Sequence, residues 1–268
     1  FGNTNLKPEK TVAYEFGVSK QMFEDYVVNL SIYSKNITNL LGTRTYFSGE
    51  FSESGEYFWE TWTKHINEDF AYNNGVEIQL RKKGGKNFYG EINYTYAVAE
   101  GSSSGPLQRV GAEEANKQSL KFFPLDFDQR HTVNANAIYR LNKNEGFKVG
   151  DMYPLQNTRL SIIFNYGSGL PYTKGIRGPA EPYEINNKRL PETYNIDLKI
   201  DKTFNLGSFT LRPYLEIYNL LDTENVLYVD PDTGKPDFSY GHTKEWAANP
   251  LNWSAPRLIY LGTRFNFN

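Results

Sequence analysis

The side chains of this sequence that could carry acid–base or metal chemistry are few and far apart. The chain has three histidines, His65, His131 and His242, and no cysteine. None of the histidines is spaced with a second histidine or a carboxylate as a zinc motif requires. The absence of cysteine excludes thiol catalysis, disulfides and thiolate metal sites. We therefore predict that the protein is not an enzyme and that it uses no cofactor.

A cluster of acidic residues offers a weak alternative, which is calcium binding. The segment DPDTGKPD, Asp230 to Asp237, places carboxylates at alternate positions before a glycine, as at the start of a calcium-binding loop. The glutamate that would close such a site is missing, because Gly241 stands at its position. Asp230 and Asp232 are thus a weak calcium candidate, and a turn rich in Asp, Pro and Gly is the preferred interpretation. No metal site is predicted.

Aromatic side chains indicate a third possibility, which is ligand contact. They make up 16% of the chain, and all four tryptophans fall between the predicted strands. Exposed rings can stack on a ligand, but they can also pack against one another or mark an interface. The candidate ligand-binding residues are Tyr57, Phe58, Trp59, Trp62, His65, Trp246 and Trp253.

Nine segments in which apolar and polar residues alternate predict the β-strands that would position these side chains. Most are about ten residues long, which suits a tilted crossing of a bilayer, whereas strands of globular sheets average about five or six. The mean hydropathy is −0.61, and no apolar run is long enough for a membrane-spanning helix. The predicted strands are Thr11–Phe23, Tyr26–Asn36, Tyr72–Lys82, Asn87–Val98, His131–Leu141, Thr158–Tyr166, Tyr194–Phe204, Ser208–Tyr218 and Arg257–Phe267.

Each predicted strand has an apolar row and a polar row, because successive side chains point to opposite faces. In the last strand the apolar row is Ile259, Leu261, Phe265 and Phe267. Two interpretations remain open for the polar rows: the solvated face of a soluble β-sandwich, or the wet lumen of a membrane barrel that contains a plug. The polar rows carry charges of both signs at Glu15, Glu77, Arg81, Glu91, Arg140, Asp197, Lys199, Arg212, Glu216 and Arg264.

Short and long connections alternate along the chain. Tight turns lie near residues 24–25, 84–85 and 206–207, a moderate link covers 142–157, and long connections cover 37–71, 99–130, 167–192 and 219–255. An up-and-down sheet would collect the turns at one end and the loops at the other, as in barrels with short periplasmic turns and long extracellular loops. A Greek-key sandwich does not require this alternation. The alternation places Phe1 outside and the C-terminus in the periplasm.

An odd number of strands with an external start does not suit a complete bacterial barrel, which has an even count and a periplasmic N-terminus. An open sheet in lipid would also leave unpaired strand edges that the bilayer cannot satisfy. We therefore expect residues 1–268 to be the C-terminal segment of a larger antiparallel transmembrane β-barrel. The charge balance, 29 Lys and Arg against 31 Asp and Glu, predicts no nucleic-acid partner.

Several stretches resemble the late barrel strands of TonB-dependent outer-membrane receptors. They are NTNLKPEKTVAYEFGVSKQ (Asn3 to Gln21), LRPYLEIYNLLDTENV (Leu211 to Val226) and the closing PRLIYLGTRFNF. Smaller echoes are PLDFDQRHTVN (Pro124 to Asn134), GSGLPYT (Gly167 to Thr173) and RLPETYNIDLKIDKTF (Arg189 to Phe204), which look most like receptors of Bacteroidota-type lineages. The resemblance covers essentially the whole chain.

The resemblance implies a 22-stranded barrel, an N-terminal plug domain and a TonB box, with the plug and the box absent from this chain. It implies an active-transport receptor that binds a large ligand at its extracellular loops and is energised through TonB. Its partners would be outer-membrane lipid, the remaining strands and plug, the TonB complex and, in this lineage, a surface lipoprotein. Two alternatives remain open: an outer-membrane barrel that anchors surface proteins or lipoproteins, and a soluble carbohydrate-binding β-sandwich.

Overall fold

The structure is a computed structural model, and it describes residues 2–51, 57–107, 122–175, 184–247 and 249–267. For residues 47–51, 57–61, 246 and 247 it describes the backbone without the side chains. Phe1, whose external position is expected from the alternation of turns and loops, lies outside the described residues.

Strands dominate the described residues. No described helix is long and apolar enough to cross a membrane. A four-residue helix, α1 (Lys244–Ala247), and a short 3-10 helix (Pro250–Asn252) lie between the last two strands. The strands are β1 (Lys10–Met22), β2 (Tyr26–Phe51), β3 (Tyr57–Lys82), β4 (Phe88–Gly101), β5 (Phe123–Pro124), β6 (His131–Leu141), β7 (Thr158–Gly167), β8 (Pro171–Tyr172), β9 (Lys188–Arg189), β10 (Thr193–Lys202), β11 (Phe204–Asn205), β12 (Phe209–Tyr218) and β13 (Leu258–Phe267).

The nine long strands form one antiparallel sheet in which sequence neighbours are spatial neighbours. The order is β1-β2-β3-β4-β6-β7-β10-β12-β13, while β5 pairs with β4, β11 with β12, and β8 with β9 in a separate ribbon. The prediction of nine antiparallel strands is therefore confirmed. The alternative of a β-sandwich is wrong, because the long strands lie in one open sheet instead of two packed sheets.

The prediction of a long loop over residues 37–71 is wrong. β2 continues to Phe51 and β3 begins at Tyr57, so the two strands form an extended hairpin. The pairing register shifts around Leu40, beside Asn39 with a positive φ of 59°. Beyond this bulge the buried positions are taken by polar residues such as Thr43 and Thr45. The apolar–polar alternation on which the prediction rests therefore ends although the strand does not. The predicted strand Tyr194–Phe204 is also interrupted, between β10 and β11.

The fold has very little apolar core. Apart from glycine and proline, the only buried apolar residues among those described are Ala71, Ala99, Leu125 and Val229. The chain exposes 18047 Å², whereas a globular protein of 30.8 kDa exposes about 12,000 Å². Large apolar side chains contribute to this surface, and Leu261, for example, is 83% exposed. The described strands thus carry a broad apolar surface that no other described element covers.

One carboxylate ties two of the turns together. We call the end of the sheet that carries the turns at 23–25, 83–87, 142–157 and 206–208 the turn end, and the opposite end the loop end. At the turn end, Glu145 forms an ion pair with Lys86 at 2.7 Å and accepts a hydrogen bond from the backbone N–H of Asn142 at 2.8 Å. Its second oxygen is also bound by the side-chain amide of Asn87. The ion pair with Lys86, followed by the N–H of Asn142, lowers the pKa of Glu145 to about 2.

We expect Glu145→Gln to destabilise the fold in a manner that depends on pH. Because the pKa of Glu145 is lowered from its ordinary value of 4.5, its contribution is complete above about pH 4.5 and is lost as the pH falls through about 2. Urea unfolding midpoints of the refolded protein in micelles, measured from pH 6 to pH 2, should therefore converge for wild type and variant at low pH. The matched control is Asp151→Asn in the same turn, whose fully exposed carboxylate lies 3.5 Å from Lys148 and should change the midpoint little. A constant difference for Glu145→Gln over the whole range would contradict the prediction.

Candidate functional site: the charged face and the loop-end cluster

The strand register collects the ten predicted charged residues on one face of the sheet. Residues directly opposite in neighbouring strands point to the same side. Ser31 of β2, for example, is paired with Glu77 of β3 on one side and with Gly17 of β1, two residues from Glu15, on the other. Ile259, Leu261, Phe265 and Phe267 point to the other side. That this face contacts a plug stays a prediction. We call it the charged face, and it carries Glu15, Glu77, Arg81, Glu91, Arg140, Asp197, Lys199, Arg212, Glu216 and Arg264.

A hydrogen-bond network crosses β2, β3 and β4 on the charged face. Glu91 accepts from the guanidinium of Arg81 at 2.9 Å and from the side-chain amide of Gln79 at 2.9 Å. Gln79 also donates to Asn93 at 2.8 Å and accepts from Asn29. Every member is a polar side chain that could exchange its partner for water or for another protein group. Such partly exposed ion pairs contribute about 0–1 kcal/mol each.

A second network joins β10, β12 and β13. Lys199 forms an ion pair with Glu216. The ring of Tyr214 lies between two cations, with Lys199 at 5.4 Å and Arg264 at 5.2 Å from its centre. Asp197 accepts from the side-chain amide of Asn195 at 2.8 Å. Lys199 and Arg264 therefore flank the ring of Tyr214, and Lys199 also pairs with Glu216.

The other four predicted residues are less engaged. Glu15 accepts from the hydroxyl of Ser31 at 2.9 Å, and Arg212 donates to a threonine hydroxyl at 3.2 Å. Glu77 and Arg140 make no side-chain hydrogen bond or ion pair with the described residues. The charged face therefore keeps unmatched charges of both signs available to a further partner.

A fully buried carboxylate lies at the loop end. One oxygen of Asp128 accepts from the backbone N–H of Ala99 at 2.7 Å. The other accepts from Nε of Arg130 at 2.8 Å and forms an ion pair with Arg189. The Arg189 guanidinium also donates to the carbonyl oxygens of Asp128, at 2.6 Å, and of Gly169, at 3.1 Å. Asp128 is completely buried, and these two arginines compensate its charge.

The contacts of Asp128 extend to the neighbouring strands and loops. Arg130 also donates to Glu100 of β4 at 2.9 Å, and the hydroxyl of Tyr72 of β3 donates to the same carboxylate at 2.9 Å. Nearby, the side chain of Asn186 donates to Asp126 at 2.8 Å. We call Tyr72, Glu100, Asp128, Arg130 and Arg189 the loop-end cluster. It fastens the segments before β6 and before β10 to the upper ends of β3 and β4.

Sequence reasoning missed the loop-end cluster. Alternation identifies faces of strands, and Asp128 and Arg189 lie outside the long strands. A signal was nevertheless available, because the two residues lie in the segments Pro124–Asn134 and Arg189–Phe204 that carry the family resemblance. An acidic residue in one such segment and a basic residue in the other are candidates for a buried pair.

The first group of predicted ligand-binding aromatic residues lies in a strand instead of a loop. Trp62 is in β3 and stacks on Tyr46 of β2, with ring centres 5.7 Å apart and planes 13° apart. His65, also in β3, is partly buried, and its backbone carbonyl accepts from the side chain of Asn3 at 2.9 Å. The backbones of the remaining three are in β3, and their side chains lie outside the described residues: Tyr57, Phe58 and Trp59.

The second group lies in the connection between β12 and β13, at the far side of the sheet order from β3. Trp253 is partly buried, and its backbone N–H donates to Pro250 at 3.2 Å. Trp246 belongs to α1, and its side chain lies outside the described residues. A cavity of about 370 Å³ opens in the same connection beside Tyr228 and Phe238. Trp62 and Trp253 are therefore not neighbours in the sheet.

The acidic segment after Tyr228 forms a turn. Asp230 accepts from the backbone N–H of Thr233 at 2.9 Å and from the hydroxyl of Ser239 at 2.6 Å. The hydrogen bond from Ser239, followed by that from Thr233, lowers the pKa of Asp230. Within the described ranges, no three His, Cys, Asp or Glu residues are grouped so as to hold a metal ion. The carboxylate of Asp230 therefore accepts hydrogen bonds within its own turn, and the preference for a turn over calcium binding at Asp230 and Asp232 stays a prediction.

Comparisons with known proteins agree on one fold. Residues 1–265 match the family described as TonB dependent receptor-like, beta-barrel. The chain is similar to the ferric-catecholate import receptor Fiu of Escherichia coli (16% identity, TM-score 0.55, 99% of this chain and 28% of that one). It is also similar to the outer membrane transporter YddB of Escherichia coli, with 10% identity, a TM-score of 0.65, and coverage of 97% of this chain and 33% of that one. The FrpB iron transporter of Neisseria meningitidis is similar too, with 12% identity, a TM-score of 0.55, and coverage of 97% of this chain and 31% of that one.

The chain thus spans about a third of the length of the solved structures it resembles. At these identities the likeness concerns the fold alone. No curated protein matches the chain by sequence.

We expect Asp128→Asn to loosen the loop end. Removing one partner of a buried ion pair costs about 3–5 kcal/mol, because the remaining charges stay desolvated and unpaired. Hydrogen–deuterium exchange in detergent micelles should accelerate at the amide of Ala99 and in residues 122–130 and 184–190, while the turn end stays protected. The matched control is Glu68→Gln, which breaks the more exposed pair with Arg44 and should change stability by about 1 kcal/mol or less. Equal exchange in the two variants would show that the buried pair does not fasten these loops.

Proposed function

The chain belongs to the TonB dependent receptor-like β-barrel family, and from this membership we propose that it forms the C-terminal segment of an outer-membrane active-transport receptor. The receptor binds a large ligand at its loop end and moves it across the outer membrane with energy coupled through TonB. The names of the similar solved structures, an import receptor, an outer membrane transporter and an iron transporter, support transport over catalysis.

The observation that carries the proposal is the separation of two surfaces by one register over nine strands. The apolar face exposes large side chains such as Phe16 (69%) and Leu261 (83%), and the opposite face holds the charged networks. In water the apolar face would be a broad unstable surface. In a bilayer it meets hydrocarbon, and the charged face then lines a wet interior.

The proposed barrel is larger than this chain. β1 pairs with β2 alone, and β13 pairs with β12 alone among the described strands. Lipid cannot satisfy the free backbone groups of two such edges, so further strands must pair with them. The shares of 28% and 33% of the similar chains support a larger barrel, which by family resemblance has 22 strands and an N-terminal plug. Weak, partly solvated ion pairs on the charged face suit a plug that must move during transport.

The proposed orientation places the turn end in the periplasm and the loop end outside, which leaves the C-terminus periplasmic. Three of the four links at the turn end are tight turns. The loop end carries the long links after β4, β7 and β12 together with the extended β2–β3 hairpin, and this distribution supports the orientation. The loop-end cluster would hold the outer rim rigid, and Trp62, Trp253 and the cavity beside Tyr228 would offer contacts to the ligand. The short motifs that resemble receptors of Bacteroidota-type lineages support a surface lipoprotein as an additional proposed partner.

The absence of cysteine permits a sharp test of orientation, since single cysteines can be introduced without a background in this chain. In intact cells a membrane-impermeant maleimide should label Leu251→Cys at the loop end. It should label Asp151→Cys at the turn end only after the outer membrane is permeabilised. Both positions are highly exposed in the structure, with Leu251 at 79% and the side chain of Asp151 fully open. The reverse pattern, or equal labelling in intact cells, contradicts the proposed orientation.

Transport is tested by comparing the small molecules that cells remove from the medium. We expect the compounds consumed by the wild type to remain in the medium of a strain lacking the whole receptor and of a strain lacking TonB. Both strains should lose uptake, because energised uptake needs the receptor and its energy source. Unchanged consumption together with the disappearance of surface protein complexes would favour the anchoring barrel instead. Release of the receptor from membranes by a carbonate wash without detergent would contradict both functions.

A further inference from the structure

A trough crosses the apolar face near the turn end. Its volume is about 210 Å³, and its floor consists of the small residues Gly90, Ala135 and Ala137. Gly90 pairs with Ala137, and Ala135 lies one row higher beside Ile92, so the small residues are contiguous across β4 and β6. Bulky neighbours on every side therefore surround a patch without long side chains.

The walls of the trough are apolar and come from the flanking strands. Leu80 of β3 lies on one side, and Ile162 and Phe164 of β7 lie on the other. The ring of Phe88 covers the lower edge so closely that a Cβ on Gly90 would lie 3.0 Å from its tip. The trough is thus a shaped, narrow depression in an otherwise ridged surface, and its lining suits a hydrocarbon chain.

A pair of opposite charges lies at the turn-end mouth of the trough. Lys82, which lines the trough, stands 3.9 Å from the carboxylate of Asp25. Its ammonium lies 3.4 Å from the hydroxyl of Tyr26 and 4.8 Å from the centre of that ring. The Lys82 side chain is 20% exposed and that of Asp25 38% exposed, so both remain reachable. An apolar trough and a charge pair therefore form one amphipathic site.

We propose that this trough binds one glycerophospholipid of the periplasmic leaflet, with an acyl chain over Ala135 and Ala137 beside the Phe88 ring that covers Gly90, and a phosphoethanolamine headgroup at the charge pair. The phosphate meets Lys82, and the primary ammonium meets Asp25. A purely anionic headgroup could place its phosphate at Lys82 but would bring no cation of its own to Asp25, so the charge pair favours a zwitterionic lipid. This inference rests on the proposed membrane location and goes beyond it by naming a specific lipid site.

The test is lipid binding by the full-length receptor, purified and delipidated in a non-ionic detergent and titrated with phosphatidylethanolamine under native mass spectrometry. We expect one tightly retained copy in the wild type. Ala137→Leu, which fills the floor, should weaken binding by about tenfold because it displaces about two methylene groups of the chain. Ala135→Leu provides the same test if Ala137→Leu does not fold, as judged by heat-modifiable electrophoretic mobility.

The matched control is Thr263→Leu, which enlarges a small residue on the apolar face of β13, away from the trough, and should leave binding unchanged. Phosphatidylglycerol should bind about fivefold more weakly than phosphatidylethanolamine, and Asp25→Asn should remove that preference. Equal binding by wild type and Ala137→Leu, an equal loss in Thr263→Leu, or no preference between the two lipids would overturn the proposal. If these results came from a receptor whose cysteine labelling shows membrane insertion, the specific site would fail while the proposed function stood.

Discussion

The register of backbone hydrogen bonds is the constraint on which the rest of the structure depends. Each long strand pairs with its sequence neighbour, and the pairs agree on which residues share a face from β1 to β13. Because the side-chain period of a strand is two, a slip by one residue in any pair would exchange the faces of all strands beyond it. Charged side chains would then enter the apolar face, and Phe and Leu would enter the charged one. The two surfaces are therefore a single cooperative property of the sheet.

This dependence explains how much the sequence predicts. Alternation is a direct consequence of one apolar face, so it identified nine strands, their antiparallel order and the members of both faces. It failed between residues 37 and 71, where Asn39 bends the strand and Thr43 and Thr45 are buried although they are polar. It could not identify Asp128, because a buried ion pair joins residues far apart in sequence and leaves no period. The trough was equally hidden, since Gly90 and Ala137 become neighbours only through the pairing of β4 with β6.

The ion pairs of the charged face and those of the loop-end cluster differ in physical character. On the charged face, pairs such as Arg81 with Glu91 are partly exposed, so water can replace either partner at small cost. Asp128 is fully buried between two arginines, where a missing partner cannot be replaced by water. The backbone near this cluster is equally constrained, because a Cβ on Gly169 would lie 1.6 Å from the carbonyl oxygen of Leu190. The sheet thus combines a charged face whose contacts can be exchanged with a rigid loop end.

The alternation of turns and loops also bears on the order in which the sheet forms. Closing a loop costs entropy that grows by about 0.6 kcal/mol with each doubling of its length. β1 and β2 are joined by three residues, 23–25, while residues 219–257 separate β12 from β13. Strand pairs joined by short turns therefore form first, and the resulting two-stranded hairpins then pair with one another. Since every partner is the next long strand in sequence, the chain can lengthen its sheet one hairpin at a time.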